Sequence, residues 1–290
     1  MAGTGTMQDI KRRIRSVTSI EHITNAMKLV SAAKLRRAKI TFEKTQEYFH
    51  YVTEAIQEIF NNHNDIPYKY LKHDEREIKT TCYVIITSNR GLAGSFNANV
   101  IKKAEAEIKA DWEKPYIVAV GSKGRDYFAK RNYEIASEYM RPPENISFIE
   151  TQGISQPIIE MYDNEKIDEV IMIYTSFVSS LEQRVVVKTL LPFEIEQDPD
   201  MDLLEKQVEY EPSANDVFNY LVPKYVEIMI YNAIVESATC EHAARRMAME
   251  NATDNAQQAI EELNLTYNRA RQAAITKEIT EIVSGADALE

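Results

Sequence analysis

KYVEIMIYNAIVESATCEHAARRMAMENATDNAQQAIEELNLTYNRARQAAITKEITEIVS, the stretch from Lys224 to Ser284, contains neither proline nor glycine. Its first half keeps a four-three alternation of apolar and small residues at Val226, Ile230, Ala233, Ser237, Cys240, Ala244 and Met247. The pattern breaks at the polar run Asn251 to Asn255 and returns at Ile260, Leu263, Tyr267, Ala270 and Ala274. Such spacing predicts one continuous helix on the order of 90 Å long, with a seam on which a partner helix can rest. Because small residues dominate that seam, the partner can approach closely.

The other end of the chain supplies a candidate partner. From about Gln8 to Phe60 there is again no proline or glycine, and apolar residues recur at Ile10, Ile14, Val17, Ile20, Ile23, Met27 and Val30. After a slip the stripe resumes at Leu35, Ala38 and Phe42, then at Phe49, Val52, Ile56 and Ile59. A helix of about 53 residues is expected, roughly 80 Å long, which no small domain could enclose. Its small residues Ser31, Ala32 and Ala33 match the small seam of the C-terminal helix, so an antiparallel coiled coil of the two chain ends follows.

Between the flanks, Tyr83 to Thr87, Tyr116 to Val120 and Val170 to Tyr174 are short apolar runs of the kind found in strands covered on both faces, and Arg184 to Leu191 adds a fourth strand. Five of the eight glycines lie here: Gly91 and Gly94, then Gly121 and Gly124, mark turns from strand into helix, and Gly153 is read as opening a third helix. The expected fold class is α/β plus long α-helices: an antiparallel coiled coil of N- and C-terminal helices with an inserted small α/β domain of doubly wound, Rossmann-like type. The expected divisions are residues 1–60, 78–195 and 210–290. Pro192, Pro199 and the acidic stretch Asp198 to Glu205 read as a linker, Pro212 and Ser213 as the opening of the last helix, and Pro223 as a break or kink in it.

Composition narrows the function. No apolar run reaches the roughly 18 residues a membrane-spanning helix needs, and there is no apolar signal segment, so residence in the cytoplasm without membrane insertion is expected. Cys82 and Cys240 read as buried small hydrophobes in a reducing compartment, and the five histidines form no ligand set for a metal. Residues 8–44 carry ten basic side chains against three acids in a chain whose formal net charge is −11. A basic rod on an acidic protein calls for an acidic partner surface.

Three kinds of chemistry compete for these features. The segment Thr87 to Asn97 leaves a strand through glycines, as phosphate-cradling loops do, but lacks both the Lys-Ser/Thr pair of a P-loop and the three spaced glycines of a dinucleotide fingerprint. Gly121-Ser122-Lys123-Gly124 is placed similarly and lacks the same marks. No nucleophile elbow and no Ser, His and acid cluster can be assembled, so an enzyme with its own site and a bound cofactor is disfavoured. The basic stretch Lys28 to Lys39 could meet nucleic-acid phosphates, but it has a regular apolar stripe, no interleaved aromatics and an acidic protein around it. A structural, partner-binding role is left.

Three segments carry a resemblance. Asp9-Ile10-Lys11-Arg12-Arg13-Ile14 with Ile23-Thr24-Asn25-Ala26-Met27-Lys28-Leu29-Val30-Ser31-Ala32-Ala33-Lys34-Leu35-Arg36-Arg37-Ala38, then Thr87 through Asn97, then Glu241-His242-Ala243-Ala244-Arg245 through Ala252-Thr253-Asp254-Asn255 to Tyr267-Asn268-Arg269-Ala270-Arg271-Gln272-Ala273-Ala274-Ile275-Thr276, resemble the γ subunits of bacterial F-type ATP synthases. The resemblance spans essentially the whole chain. It implies a central-stalk rotor without an active site or cofactor of its own, coupling proton flow through a membrane c-ring to the catalytic β subunits. The implied partners are the α and β subunits of the head, the ε subunit and the c-ring, with no nucleic acid, at the cytoplasmic face of the cell membrane. It also implies the contact residues: Arg271, Gln272, Thr276 and Glu278 toward the head, with Met27, Lys28, Lys34, Arg36 and Arg37 on the first helix, and Tyr210 and Glu211 at the foot. Lys28 stands where many relatives carry an acid, and the close cysteine pair of chloroplast relatives is missing.

Overall fold

The computed structural model describes residues 7–62, 70–71, 78–110, 115–142, 146–193 and 211–287. The long helices are α1, Met7–Asn62, and α5, Ala214–Asp287. The intervening elements are β1 (Thr81–Ile86), α2 (Phe96–Ala110), β2 (Tyr116–Val120), α3 (Ser122–Ala129), β3 (Ile135–Tyr139), α4 (Phe148–Asp163), β4 (Glu169–Phe177) and β5 (Gln183–Leu191). The chain forms two compact units, Met1–Ser31 with Arg245–Glu290, and Ala32–Ala244.

In the larger unit the sheet order is β3-β2-β1-β4-β5. The pairs β1–β2, β1–β4 and β2–β3 are parallel, and only β4–β5 is antiparallel. Alternation along each strand sends side chains to two cores. Cys82, Val84, Ile86, Val118 and Val120 face Ile154, Ile158 and Tyr162 of α4 and Val226, Ile230 and Ile234 of α5. On the other face Tyr83, Ile85, Ile117 and Ala119 meet Val100, Ala104 and Ile108 of α2 and Phe128 of α3. Each fully buried aliphatic side chain of this kind contributes about 1.5–3 kcal/mol. Here α1 runs antiparallel to α5: Gln46 Nε2 donates to Asn232 Oδ1 at 3.1 Å, and Phe49 lies against Tyr225 at 6.4 Å between ring centroids.

In the smaller unit Thr24 and Thr253 are buried, with their hydroxyls 2.9 Å apart. That corrects the stripe expected for this part of α1. Ile20, Ile23 and Val30 are 49%, 57% and 57% exposed, and the seam is carried by small polar residues, Thr24 and Ser31, with the half-buried Ile14, Val17 and Met27. Close helix approach selects small side chains, and the larger ones turn outward.

Three further expectations are corrected. Pro223 does not end the helix, because α5 runs through it while Phe218, Val222 and Val226 stay buried; packing outweighs one missing N–H. Gly153 does not open a helix but lies inside α4, whose start is set by a capping box: Ser147 accepts from the Glu150 amide and Glu150 from the Ser147 amide. The strand β3 was not expected, since its sequence IASEY alternates and sits at an edge. Tyr210, Pro199 and Asp198 to Glu205 lie outside the described residues.

Candidate partner-binding surfaces

The two glycine turns sit side by side at the carboxyl ends of β1 and β2, where doubly wound sheets hold ligands. Their amides are already used. At the start of α3, Ser122 N donates to Asn89 Oδ1 (2.8 Å), Lys123 N to the Ser88 carbonyl (3.2 Å) and Gly124 N to Thr87 Oγ1 (2.9 Å). Asn89 Nδ2 also donates to the carbonyls of Met140 and Arg141, tying the turn to the end of β3. Ser88 N donates to Asn97 Oδ1 of α2. The approach is tight enough that Gly121, at φ 94°, is obligatory: a Cβ there would stand 2.1 Å from the Thr87 carbonyl oxygen. The first-turn donors that would cradle a phosphate instead brace one turn against another. At the tip of this braced loop Leu92 is exposed at φ 62°.

The helical surfaces differ. From Arg271 to Ser284 every side chain of α5 is exposed. Helical spacing puts Arg271, Ile275, Glu278 and Ile282 on one line and Gln272, Thr276, Ile279 and Val283 on the next, so the long hydrogen-bonding groups and the apolar groups share a side. Ile279 and Ile282 are 57% and 72% exposed. Local support is modest: Lys277 pairs with Glu281 at 3.5 Å, and Thr280 Oγ1 donates back to the Thr276 carbonyl.

On α1, Met27, Lys28 and Lys34 are half-buried and Arg36 and Arg37 exposed. Met27 and Lys28 belong to the smaller unit, and Lys34, Arg36 and Arg37 to the larger. Glu211 is exposed just before α5, which Ser213 caps by accepting from the Asp216 amide at 3.1 Å.

A model of the family described as ATP synthase matches residues 6–289. A protein named ATP synthase gamma chain from Alkaliphilus metalliredigens is 47% identical, with 98% of this chain and 99% of that one covered. The chain belongs to the ATP synthase gamma chain family. A second gamma chain, from Desulforamulus reducens, is 45% identical at the same coverage. One from Acetobacterium woodii, named as sodium ion specific, is 40% identical over 98% of both chains. Among solved structures, a chain in the rotor of Euglena gracilis mitochondrial ATP synthase superposes with a TM-score of 0.70 at 20% identity, covering 94% of this chain and all of that one. At that identity the likeness establishes the fold alone.

Polar groups that sequence reasoning passed over are buried where α5 crosses the sheet. Glu227 receives Lys224 Nζ at 2.9 Å, and Gln152 Nε2 of α4 approaches it at 3.4 Å. Glu236 receives Ser176 Oγ at 2.7 Å and Phe177 N at 2.8 Å. The signal was available: an acid inside an apolar helical run needs a buried partner. Among the described residues no helix is long and apolar enough to cross a membrane.

Proposed function

We propose that this gamma chain is the central-stalk rotor of an F-type, proton-transporting ATP synthase at the cytoplasmic face of the cell membrane. It cycles the catalytic β subunits through their nucleotide states by turning among them and has no active site of its own. The observation that carries this reading is the last part of α5, a continuous helix whose apolar and hydrogen-bonding side chains are all exposed from Arg271 to Ser284. An exposed surface of this kind is the mark of a site that a partner covers.

In this reading Arg271, Gln272, Thr276 and Glu278 meet the β subunits, and the α and β subunits together enclose the apolar stripe beyond them. Met27, Lys28, Lys34, Arg36 and Arg37 give the head further points of contact. The foot around Tyr210 and Glu211 joins the ε subunit and the c-ring. The mechanism needs only that the shaft present different contacts to three otherwise equal sites, since a ligand shifts a conformational equilibrium by its difference in affinity for the two states. Each charge crossing the membrane supplies about 2.3 kcal/mol per 100 mV, so several are pooled per ATP, and a stiff helical pair transmits them as torque. The 40% identity to a gamma chain named as sodium ion specific fits a shaft that is indifferent to which ion drives the ring.

The test is reconstitution with the α and β subunits of the same source. The reading expects a three-to-three-to-one complex in which a probe fixed to the gamma chain turns in threefold steps as ATP is hydrolysed. A chain that hydrolyses ATP alone, or a probe that stays still during hydrolysis by the complex, overturns it.

A further inference from the structure

The sheet has a ligand position, and the chain fills it with its own side chain. In the order β3-β2-β1-β4-β5 the chain leaves β1 toward β2 and later returns on the other side of β1 as β4, so the switch point lies between β1 and β4. The last paired residues of these two strands are Ile85 and Ile173, and β4 continues to Phe177. In that overhang Phe177 N and Ser176 Oγ both donate to Glu236 Oε1 of α5, at 2.8 and 2.7 Å. The charge of Lys188 on β5 favours the ionised form of Glu236. Cys240, one turn along α5, closes the place with Ala93, Phe96 and Phe177. Glu236 itself is 6% exposed.

A backbone amide and a hydroxyl converging on one buried carboxyl oxygen, at the carboxyl end of a parallel strand beside a switch point, is how such a sheet receives an anionic ligand. We propose that Glu236 is a built-in ligand: its carboxyl group fills the ligand position of the sheet and latches α5 to the end of β4, and a free small carboxylate takes the position when that group is removed. The latch gives the helix a directional attachment to the sheet, where apolar contacts alone would allow sliding.

The experiment compares the thermal unfolding of the full chain, wild type, Glu236→Gln and Glu236→Ala, in sodium formate and in sodium chloride at equal ionic strength and neutral pH. The wild type is expected to melt alike in both salts. In chloride Glu236→Ala is expected to melt about 6 °C lower, from stranded buried donors in a chain of this size, and formate is expected to recover much of that loss with a saturating dependence. Glu236→Gln, whose amide fills the place, is expected to melt between the two and to ignore formate. If Glu236→Ala does not fold in chloride, refolding yield becomes the readout, with recovery expected in formate. The proposal is overturned if Glu236→Ala melts like the wild type, if formate helps it no more than it helps the wild type, or if refolding fails equally in both salts.

Discussion

Between Val226 and Ala243, α5 is buried on nearly every side, held by the sheet, α4 and α1. Between Arg271 and Ser284 the same helix has every side chain in solvent. Both stretches are free of glycine and proline and both are helical, so propensity does not separate them. Helix order in the first comes from tertiary packing, including the buried acids Glu227 and Glu236 with their specific donors. In the second it comes from intrinsic propensity and exposed ion pairs such as Lys277–Glu281, worth a few tenths of a kcal/mol each. One end of α5 is finished by its own chain, and the other is, in the function proposed above, finished by a partner.

The sharpest contrast comes from equal truncations at the two ends. Ile230→Ala removes a fully buried side chain and is expected to cost about 3 kcal/mol, whereas Ile279→Ala in the isolated chain should stay within about 0.5 kcal/mol of the wild type. Thermal or denaturant unfolding reads both, and similar losses would break the comparison. In the assembled complex the ranking should change. Arg271→Ala with Gln272→Ala is expected to lower ATP synthesis roughly tenfold through lost charge-assisted hydrogen bonds, more than deletion of the residues after Gly285 does. Near-normal synthesis in both variants would remove these residues from the torque contact.

Acidity sharpens the buried end. Burial raises the Glu236 carboxyl above its ordinary value of 4.5, against the opposing pull of the Phe177 amide, the Ser176 and Tyr174 hydroxyls and Lys188. The folded chain therefore holds this proton more tightly than the unfolded chain does, so this contribution is complete below the ordinary value and is lost as pH rises through the folded one. The stability of the wild type relative to Glu236→Gln should fall with rising pH across that window. A difference that is flat, or that grows with pH, would show that the donors outweigh burial. The smallest effect is expected at the helix seam: Thr253→Val alone should cost about 1 kcal/mol, and adding Thr24→Val should cost less than that again, because the bond the two hydroxyls share is already lost. Unfolding of the three chains measures it.

The long helices and the parallel strands β1, β2 and β4 were legible because each follows from local pattern: no breakers over dozens of residues, and apolar runs of strand length; the parallel edge strand β3, whose sequence alternates, was not. The exposed faces of α1 were not. Ile20, Ile23 and Val30 satisfy helical periodicity as well as the true seam does, and only a close-packed partner decides for Thr24 and Ser31. Gly153 and Pro223 misled for the same reason, since both are local breakers overruled by tertiary contacts. The proposed contact residues of α5 came from resemblance, and periodicity alone would have assigned Ile275 and Ile279 to a core. Glu236 was readable as an acid in an apolar run, but its donors lie some 60 residues away and no sequence pattern points to them.

Hydrogen exchange on the chain alone and on the chain within the α and β head tests the central claim most directly. The account predicts that amides of residues 226–243 are protected in both states, while those of residues 271–284 exchange freely in the isolated chain and become protected in the complex. Protection of residues 271–284 in the isolated chain, or free exchange there within an active complex, would contradict it.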